Sequence, residues 1–166
     1  MIIKNKDFKN DDVNNFNLFL FYGSNEGFKN EVINNQFLNN FKGSVIRYEE
    51  KDILENISHF YEDLFTKSFF DNEKIIILSR ASDKSEKIVS EIINKNLKSV
   101  KIILLSAILD KKSKLRNLFE KEKNLACVPF YEDNNIALGK LAFDFFKEKK
   151  ISISNQSINF LVDRMS

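Results

Sequence analysis

The chain has 166 residues, of which 43% are hydrophobic and 30% are charged, which is the balance of a folded globular protein rather than a disordered one. Its net charge of +2 excludes the strongly basic footprint of a general DNA- or membrane-binding surface. The single cysteine, Cys127, excludes an internal disulfide, and the single histidine, His59, excludes a multi-histidine metal site.

The N-terminal segment, MIIKNKDFKNDD, has an apolar run too short for a signal peptide, because Lys4 interrupts it. No later stretch reaches the roughly 18 continuous apolar residues that a membrane span requires. We therefore expect a cytoplasmic protein that has no membrane partner.

Short apolar segments then alternate with longer amphipathic ones. Five segments have the character of strands: Asn17–Tyr22, Ser44–Tyr48, Lys74–Ser79, Val100–Ser106 and Leu125–Phe130. Four segments between them have the periodicity of helices: Gly27–Phe41, Asp52–Phe65, Asp83–Asn94 and Lys112–Glu122. Several of the strands are apolar throughout, which indicates that both sheet faces are buried. The sequence predicts a three-layer α/β domain with a mainly parallel five-stranded sheet.

The pattern changes near residue 135. Ile136–Lys149 predicts one amphipathic helix, and a second helix is predicted from about Gln156 to the end of the sequence. Four residues lie on the apolar face of the first of these helices: Leu138, Leu141, Phe145 and Phe146. We expect residues 1–135 to form the α/β domain, and residues 136–166 to begin a helical domain that is truncated here.

The segment FLFYGSNEGFKNE passes from a strand into a glycine-containing turn and then a helix, which is the layout of a phosphate-binding loop. In the pattern GxxxxGK[ST] counted from Gly23, Lys29 stands where the phosphate-binding lysine belongs. Phe28 replaces the second glycine, Asn30 replaces the hydroxyl residue, and Gly27 comes one position early. We interpret this loop as degenerate, with a solvated Lys29, and expect no cofactor.

No other residues predict catalysis. The strand KIIILS is followed by Arg80 and the strand VKIILLS by Ala107, so neither is followed directly by the acidic residue that organises magnesium in nucleotide hydrolysis. Cys127 lies in an apolar strand, where a thiol is inert, and His59 is expected on a helix surface. We assign no catalytic residue and no metal ligand.

The basic run KKSKLRNLFEKEK places four cations near the start of a predicted helix: Lys111, Lys112, Lys114 and Arg116. These side chains are candidates for facing DNA phosphates. The alternative is a solvated helix face, since Glu120 and Glu122 follow and dilute the positive field.

The stretch TKSFFDNEK places Phe69 and Phe70 between polar residues, just before a buried strand. Adjacent residues on a helix diverge by about 100°, so one short turn does not easily put both rings into the same core. Ser68 is a candidate N-cap for such a turn. The segment is either an apolar protrusion that enters a partner or a local packing contact.

Three segments, taken in order, resemble the N-terminal part of the delta-subunit family of the bacterial DNA polymerase III clamp loader: FLFYGSNEGFKNEVI, LFTKSFFDNEKIIIL and LLSAILDKKSKLRNLFEKEKNLACVPFYEDNNIALGKL. The resemblance spans most of the chain, and LDKKSKLR followed by FYED is its most distinctive part. It implies an AAA+-like (P-loop NTPase-like) first domain with a degenerate nucleotide site. It further implies a small helical lid that begins near Leu138, and a C-terminal collar domain that is absent from this sequence.

This resemblance implies a non-catalytic subunit of the polymerase holoenzyme, which binds and opens the sliding clamp (beta subunit) while other subunits hydrolyse ATP. In the family, a Ser followed by a Leu-Phe pair forms a hydrophobic wedge that enters a pocket on the clamp. Ser68, Phe69 and Phe70 occupy this pattern, flanked by Lys67 and Leu64. Phe69 departs from the usual Leu and adds bulk. The implied partners are the clamp, the other loader subunits through the collar, and DNA in the assembled complex.

Two alternatives remain open from the sequence. The first is a truncated P-loop-like nucleotide-binding enzyme, which Lys29 supports and which Phe28 and Asn30 oppose. The second is a general DNA-binding module, which the nearly balanced charge disfavours.

Overall fold

The computed structural model describes residues 1–66, 73–93, 95, 97 and 99–165, with the side chains of residues 6, 10 and 165 left out of that description. The chain divides into two compact units, Met1–Phe130 and Tyr131–Ser166. The first unit contains the predicted strands and the degenerate loop, and the second contains the two predicted C-terminal helices.

Five strands form the centre of the first unit, and each begins and ends within one residue of its prediction. They are β1 (Leu18–Tyr22), β2 (Ser44–Glu49), β3 (Lys74–Ser79), β4 (Val100–Ser106) and β5 (Leu125–Pro129). The strand order is β2-β3-β4-β1-β5, and every neighbouring pair is parallel. The predicted three-layer α/β fold is confirmed, with a sheet that is wholly parallel.

Six α-helices of the first unit surround this sheet: α1 (Asn10–Asn15), α2 (Glu26–Val32), α3 (Glu50–Glu55), α4 (Ile57–Phe65), α5 (Glu86–Ile93) and α6 (Lys114–Lys121). A π-helical turn, Ile33–Leu38, continues α2. The single helix predicted over 52–65 is wrong, because Asn56 leaves helical geometry at φ −139° and begins a new helix. Its side chain accepts a hydrogen bond from the His59 backbone N–H at 3.2 Å and so caps α4.

Both faces of the sheet are buried in separate apolar clusters. Side chains from α3, α4, α5 and α6 cover one face, where Phe60 and Phe119 are almost fully buried. The other face is covered by α1, α2 and the π-helical turn, where Phe37 contacts the rings of Phe8, Phe19 and Phe21 at 4.9 to 6.0 Å. This double coverage explains why the central strands contain apolar residues at successive positions.

The second unit consists of α7 (Asn135–Glu148) and α8 (Asn155–Met165). Asn134 caps α7 by accepting a hydrogen bond from the Ala137 N–H at 2.9 Å. On the predicted apolar face of α7, Leu141 and Phe145 are exposed, at 60% and 53%, whereas Leu138 and Phe146 are half-buried. Among the described residues, no helix has both the length and the apolar content needed to cross a bilayer.

We predict that Phe37→Ala lowers the free energy of unfolding by about 3 to 5 kcal/mol, because it removes a ring that is buried against three other rings. Urea denaturation measures this change. Ile108→Ala is the control, since Ile108 is 71% exposed and should change stability by less than about 0.5 kcal/mol. Equal losses in the two variants would contradict the assigned core.

Candidate functional site

Lys29 is buried at the end of the sheet where a phosphate-binding lysine would lie. The prediction that it is solvated is wrong: its side chain is 1% exposed. The ammonium nitrogen donates to the carbonyl oxygens of Gly23 and Ser106, each at 2.9 Å, and to Glu26 Oε1 at 2.5 Å. A lysine ammonium has three N–H donors, so these acceptors occupy all of them.

The position of these acceptors follows from the topology. Gly23 directly follows β1 and Ser106 ends β4, and the two strands are neighbours with Tyr22 beside Ser106. The helix after β1 packs on one face of the sheet and the helix after β4 on the other, so this is the crevice where open α/β sheets bind ligands. Here the protein's own lysine joins the two strand ends.

Gly23 allows the tight turn that brings Lys29 back to the sheet. Its φ is +127°, and a Cβ at this position would lie 2.0 Å from the Phe130 carbonyl oxygen. The same carbonyl accepts a hydrogen bond from Asn25 N–H at 3.1 Å. The Asn25 side chain then caps α2 by accepting from Phe28 N–H at 3.0 Å.

The other positions of the loop do not present groups to a phosphate. The Phe28 ring is half-buried against Phe130, at a centroid distance of 5.4 Å. Gly27 and Asn30 are exposed, and Gly27 does not adopt the left-handed conformation of Gly23. The sequence analysis did not identify Glu26 as the partner of Lys29. Glu26 lies three residues before Lys29, and this spacing is typical of an ion pair on one face of a helix.

A cleft of about 540 Å³ opens beside this site, lined by Glu26 and by residues 79–82 and 105–109. Its one lining carboxylate, Glu26, is engaged by Lys29. Behind the lining, the buried carboxylate of Glu50 accepts hydrogen bonds from Ser82 and Ser85. Within the described part of the chain, no group of three or more acidic, histidine or cysteine side chains has the arrangement of a metal site.

The predicted wedge residues Lys67, Ser68, Phe69 and Phe70 lie outside the described residues, but both ends of their segment are described. α4 ends at Phe65, and Thr66 N–H donates to the Glu62 carbonyl at 2.8 Å. The Lys74 ammonium donates to the carbonyls of Asp63 and Thr66, which joins the end of α4 to the start of β3. Lys74 therefore positions the end of α4 relative to the start of β3, a role that its sequence context did not predict.

Leu64, predicted to flank the wedge, points into the core. Its side chain is 2% exposed and belongs to the apolar cluster that contains Phe60 and Ile53. Leu64 therefore supports the end of α4 from beneath, and its surface is not available to a partner in this conformation.

The basic segment separates into exposed and engaged cations. Lys111, Lys112 and Lys114 are exposed at the start of α6. Arg116 instead turns inward: it donates to Glu120 Oε1 at 2.7 Å and to the Leu109 carbonyl at 3.0 Å, and it lies 5.0 Å from the centre of the Tyr22 ring. The four candidate DNA-facing residues thus include one that supports the fold.

The start of α6 is held by a neighbouring loop. Ser113 accepts from Arg116 N–H at 3.2 Å, and its hydroxyl donates to Asp83 Oδ1 at 2.6 Å. Asp83 Oδ1 also accepts from Leu115 N–H at 3.1 Å. The hydrogen bonds from Ser113 and Leu115 lower the pKa of the Asp83 carboxyl.

Cys127 lies in a buried strand and His59 on a helix surface, as the sequence predicts. Cys127 is buried in β5, and burial raises the pKa of its thiol to about 12, so the nucleophilic thiolate is suppressed. His59 is exposed on α4, with Glu62 and Asp63 carboxylate oxygens 3.9 and 3.8 Å from its ring nitrogens.

No family model matches the sequence, and no curated protein matches it. Among solved structures, the chain is similar to the Bacillus subtilis DNA clamp loader delta protein YqeN, with a TM-score of 0.58 and 17% identity over 92% of this chain and 49% of that one. It is also similar to the Walker-type ATPase PABY2304 of Pyrococcus abyssi, with a TM-score of 0.50 and 14% identity over 92% of this chain and 59% of that one.

These similarities establish the fold. The chain shares the α/β fold of these two proteins, with the five-stranded parallel sheet that the sequence predicts. It spans about half the length of the clamp-loader protein.

We predict that Lys29→Met lowers the free energy of unfolding by about 1 to 3 kcal/mol, because two buried carbonyl oxygens lose their donor. Chemical denaturation measures the loss. Glu26→Gln should cost less, since the Glu26 side chain is 64% exposed and glutamine keeps an oxygen acceptor. A larger loss for Glu26→Gln than for Lys29→Met would contradict the assignment of the two carbonyls as the main partners of Lys29.

Proposed function

We propose that this chain is the N-terminal part of a clamp-loader subunit of the delta type, which binds the sliding clamp and promotes its opening during DNA replication. The observation that carries the proposal is the wedge-like sequence TKSFF, which follows α4 in the sequence of a chain whose fold is similar to that of a clamp loader delta protein. The structure of Lys29 supports a subunit without its own nucleotide chemistry.

In this proposal, the protein's own acceptor groups occupy Lys29 in place of a nucleotide phosphate. A phosphate at the loop would need the N–H donors of Lys29, and these are already bound to Gly23, Ser106 and Glu26. Removing the lysine from the two carbonyls would leave buried polar groups unpaired. The role we propose is therefore mechanical, and the loader's ATP hydrolysis is assigned to other subunits.

The proposed mechanism is a shift between clamp conformations. Phe69 and Phe70 enter an apolar pocket on the clamp, and this binding favours the ring conformation in which one interface is open, because affinity for that conformation is higher. Lys74 keeps the two ends of the wedge segment together, so that less ordering entropy is lost on binding.

In the assembled complex, the C-terminal helices and the exposed lysines near α6 have further roles. Residues 136–166 are the beginning of the lid, and other loader subunits bind through a collar outside this sequence. Lys111, Lys112 and Lys114 face DNA in the complex, since they are exposed and carry no ion pair among the described residues. The complex is part of a cytoplasmic DNA-directed DNA polymerase holoenzyme.

We predict that the double variant Phe69→Ala, Phe70→Ala binds the sliding clamp of the same organism at least tenfold more weakly than the parent chain. Truncating two rings that fill an apolar pocket removes about 1.4 kcal/mol or more of binding free energy. Isothermal titration calorimetry measures the affinity, and circular dichroism checks the fold.

The matched control is Phe143→Ala, Phe160→Ala, which removes two exposed rings from α7 and α8. Equal affinities of the wedge variant and the parent would place the clamp contact elsewhere. A parent chain that does not bind the clamp would contradict the proposed function of this fragment.

The nucleotide-binding alternative makes a different prediction. If Lys29 is permanently engaged, magnesium-ATP should not bind at concentrations up to about 1 mM, a limit that corresponds to about −4 kcal/mol of binding free energy. Titration with a fluorescent ATP analogue and competition by unlabelled ATP measure this. Micromolar, magnesium-dependent binding would favour the truncated P-loop enzyme.

A further inference from the structure

α4 carries an exposed apolar side chain at each of its ends. Phe65 is 45% exposed, and it is the only exposed phenylalanine among the described residues of the first unit. Its ring stacks on that of Tyr61, with a centroid distance of 6.0 Å and an interplanar angle of 19°. Ile57, one turn before Tyr61, is 38% exposed. Tyr61 between them is half-buried against the core, and the three residues form an apolar strip roughly 12 Å long, which we call the α4 strip.

A second element completes this surface. Lys95, just after α5, places its ammonium nitrogen 4.5 Å from the centre of the Phe65 ring and 5.2 Å from that of Tyr61. The Tyr61 hydroxyl donates to the Glu91 carboxylate of α5, which orients the ring. Residues about thirty positions apart in sequence thus build one surface, in which a cation lies over two aromatic faces.

The charges around the strip indicate the chemistry of its partner. The Lys95 ammonium makes no ion pair with any described carboxylate, and Glu91, the acidic residue one turn earlier, is engaged by Tyr61. An aromatic surface with a cation over its ring faces complements an apolar side chain that has an aspartate or glutamate beside it. The exposed carboxylates of Glu62 and Glu91 disfavour a nucleic-acid phosphate here.

The strip leads directly into the wedge segment. Phe65 is the last residue of α4, and the segment 67–72 begins two positions later. Lys74 binds the carbonyls of Asp63 and Thr66 and so holds the start of β3 beside the last turn of α4. Phe69 follows Phe65 by four positions in the sequence, so a protein that binds Phe69 comes near Phe65, and the Lys95 ammonium lies over the Phe65 ring.

We propose that the α4 strip and Lys95 form a second clamp contact beside the wedge, in which Phe65 receives an apolar side chain of the sliding clamp and Lys95 pairs with a carboxylate next to it. This inference rests on the proposed clamp-binding function. It adds to the wedge a charged contact, which determines orientation on the clamp and makes part of the affinity salt-dependent.

The test compares Phe65→Ser and Lys95→Glu with the parent chain in calorimetric binding to the sliding clamp of the same organism, at about 0.05 and 0.5 M salt. Each variant should bind at least fivefold more weakly at low salt. The loss for Lys95→Glu should shrink at high salt because the lost ion pair is screened, whereas that for Phe65→Ser should persist. Ile108→Ser and Lys121→Glu are matched controls on exposed positions of the β4–α6 loop and α6, and thermal unfolding checks every fold.

The wedge variant Phe69→Ala, Phe70→Ala, measured in parallel, separates the two proposals. Loss of binding in the wedge variant alone would overturn the second contact and leave the proposed function standing. Loss in the strip variants alone would support the second contact and overturn the wedge assignment. A parent chain that does not bind the clamp overturns both the wedge and the second contact. If the parent chain forms a dimer that Phe65→Ser dissociates, the strip is a contact between copies of this chain, and this outcome also overturns the inference.

Discussion

The burial of one ammonium group determines what the carboxyl end of this sheet can do. Lys29 stands in the sequence position of a phosphate-binding lysine, but its nitrogen binds the ends of β1 and β4 and the carboxylate of Glu26. Burying a cation is costly unless it is paired and hydrogen-bonded, and these three acceptors offset that cost. The arrangement turns a ligand-binding position into a structural contact between two strands.

Other polar contacts at the same edge connect the loops that follow the strands. Glu50 after β2 accepts hydrogen bonds from Ser82 and Ser85 after β3, and Asp83 from that loop holds the start of α6 through Ser113. The loops after β2, β3 and β4 are therefore joined to one another. This network connects successive loops at the carboxyl edge of the sheet.

A more exposed and more aromatic surface lies at the end of α4. There the Phe65 ring is exposed and the Tyr61 ring is half-buried. The Lys74 ammonium binds backbone carbonyls at the end of the helix, and the Lys95 ammonium lies over the two ring faces. A helix terminus with unpaired carbonyl groups is a natural position for a lysine.

Most of the sheet was predictable because the strands are apolar on both faces, a pattern that few other structures produce. The helices were predicted less well. The short α1, with the sequence NDDVNN, has only one apolar residue to show a period, and the break at Asn56 depends on a cap that competes with helix continuation. The π-helical turn after α2 lets Phe37 reach the aromatic cluster, which no local propensity specifies.

The sequence by itself determined the parallel α/β fold, the degeneracy of the phosphate loop and the unusual Phe69-Phe70 pair, since these depend on residue type and spacing along the chain. Only the tertiary structure decided that Lys29 is buried, that Arg116 turns inward, and that Lys95 covers Tyr61 and Phe65. Each of these depends on acceptors or rings supplied by a distant strand or helix, up to 77 residues away for Lys29 and Ser106. Local sequence carries no record of such partners, because the fold brings them together.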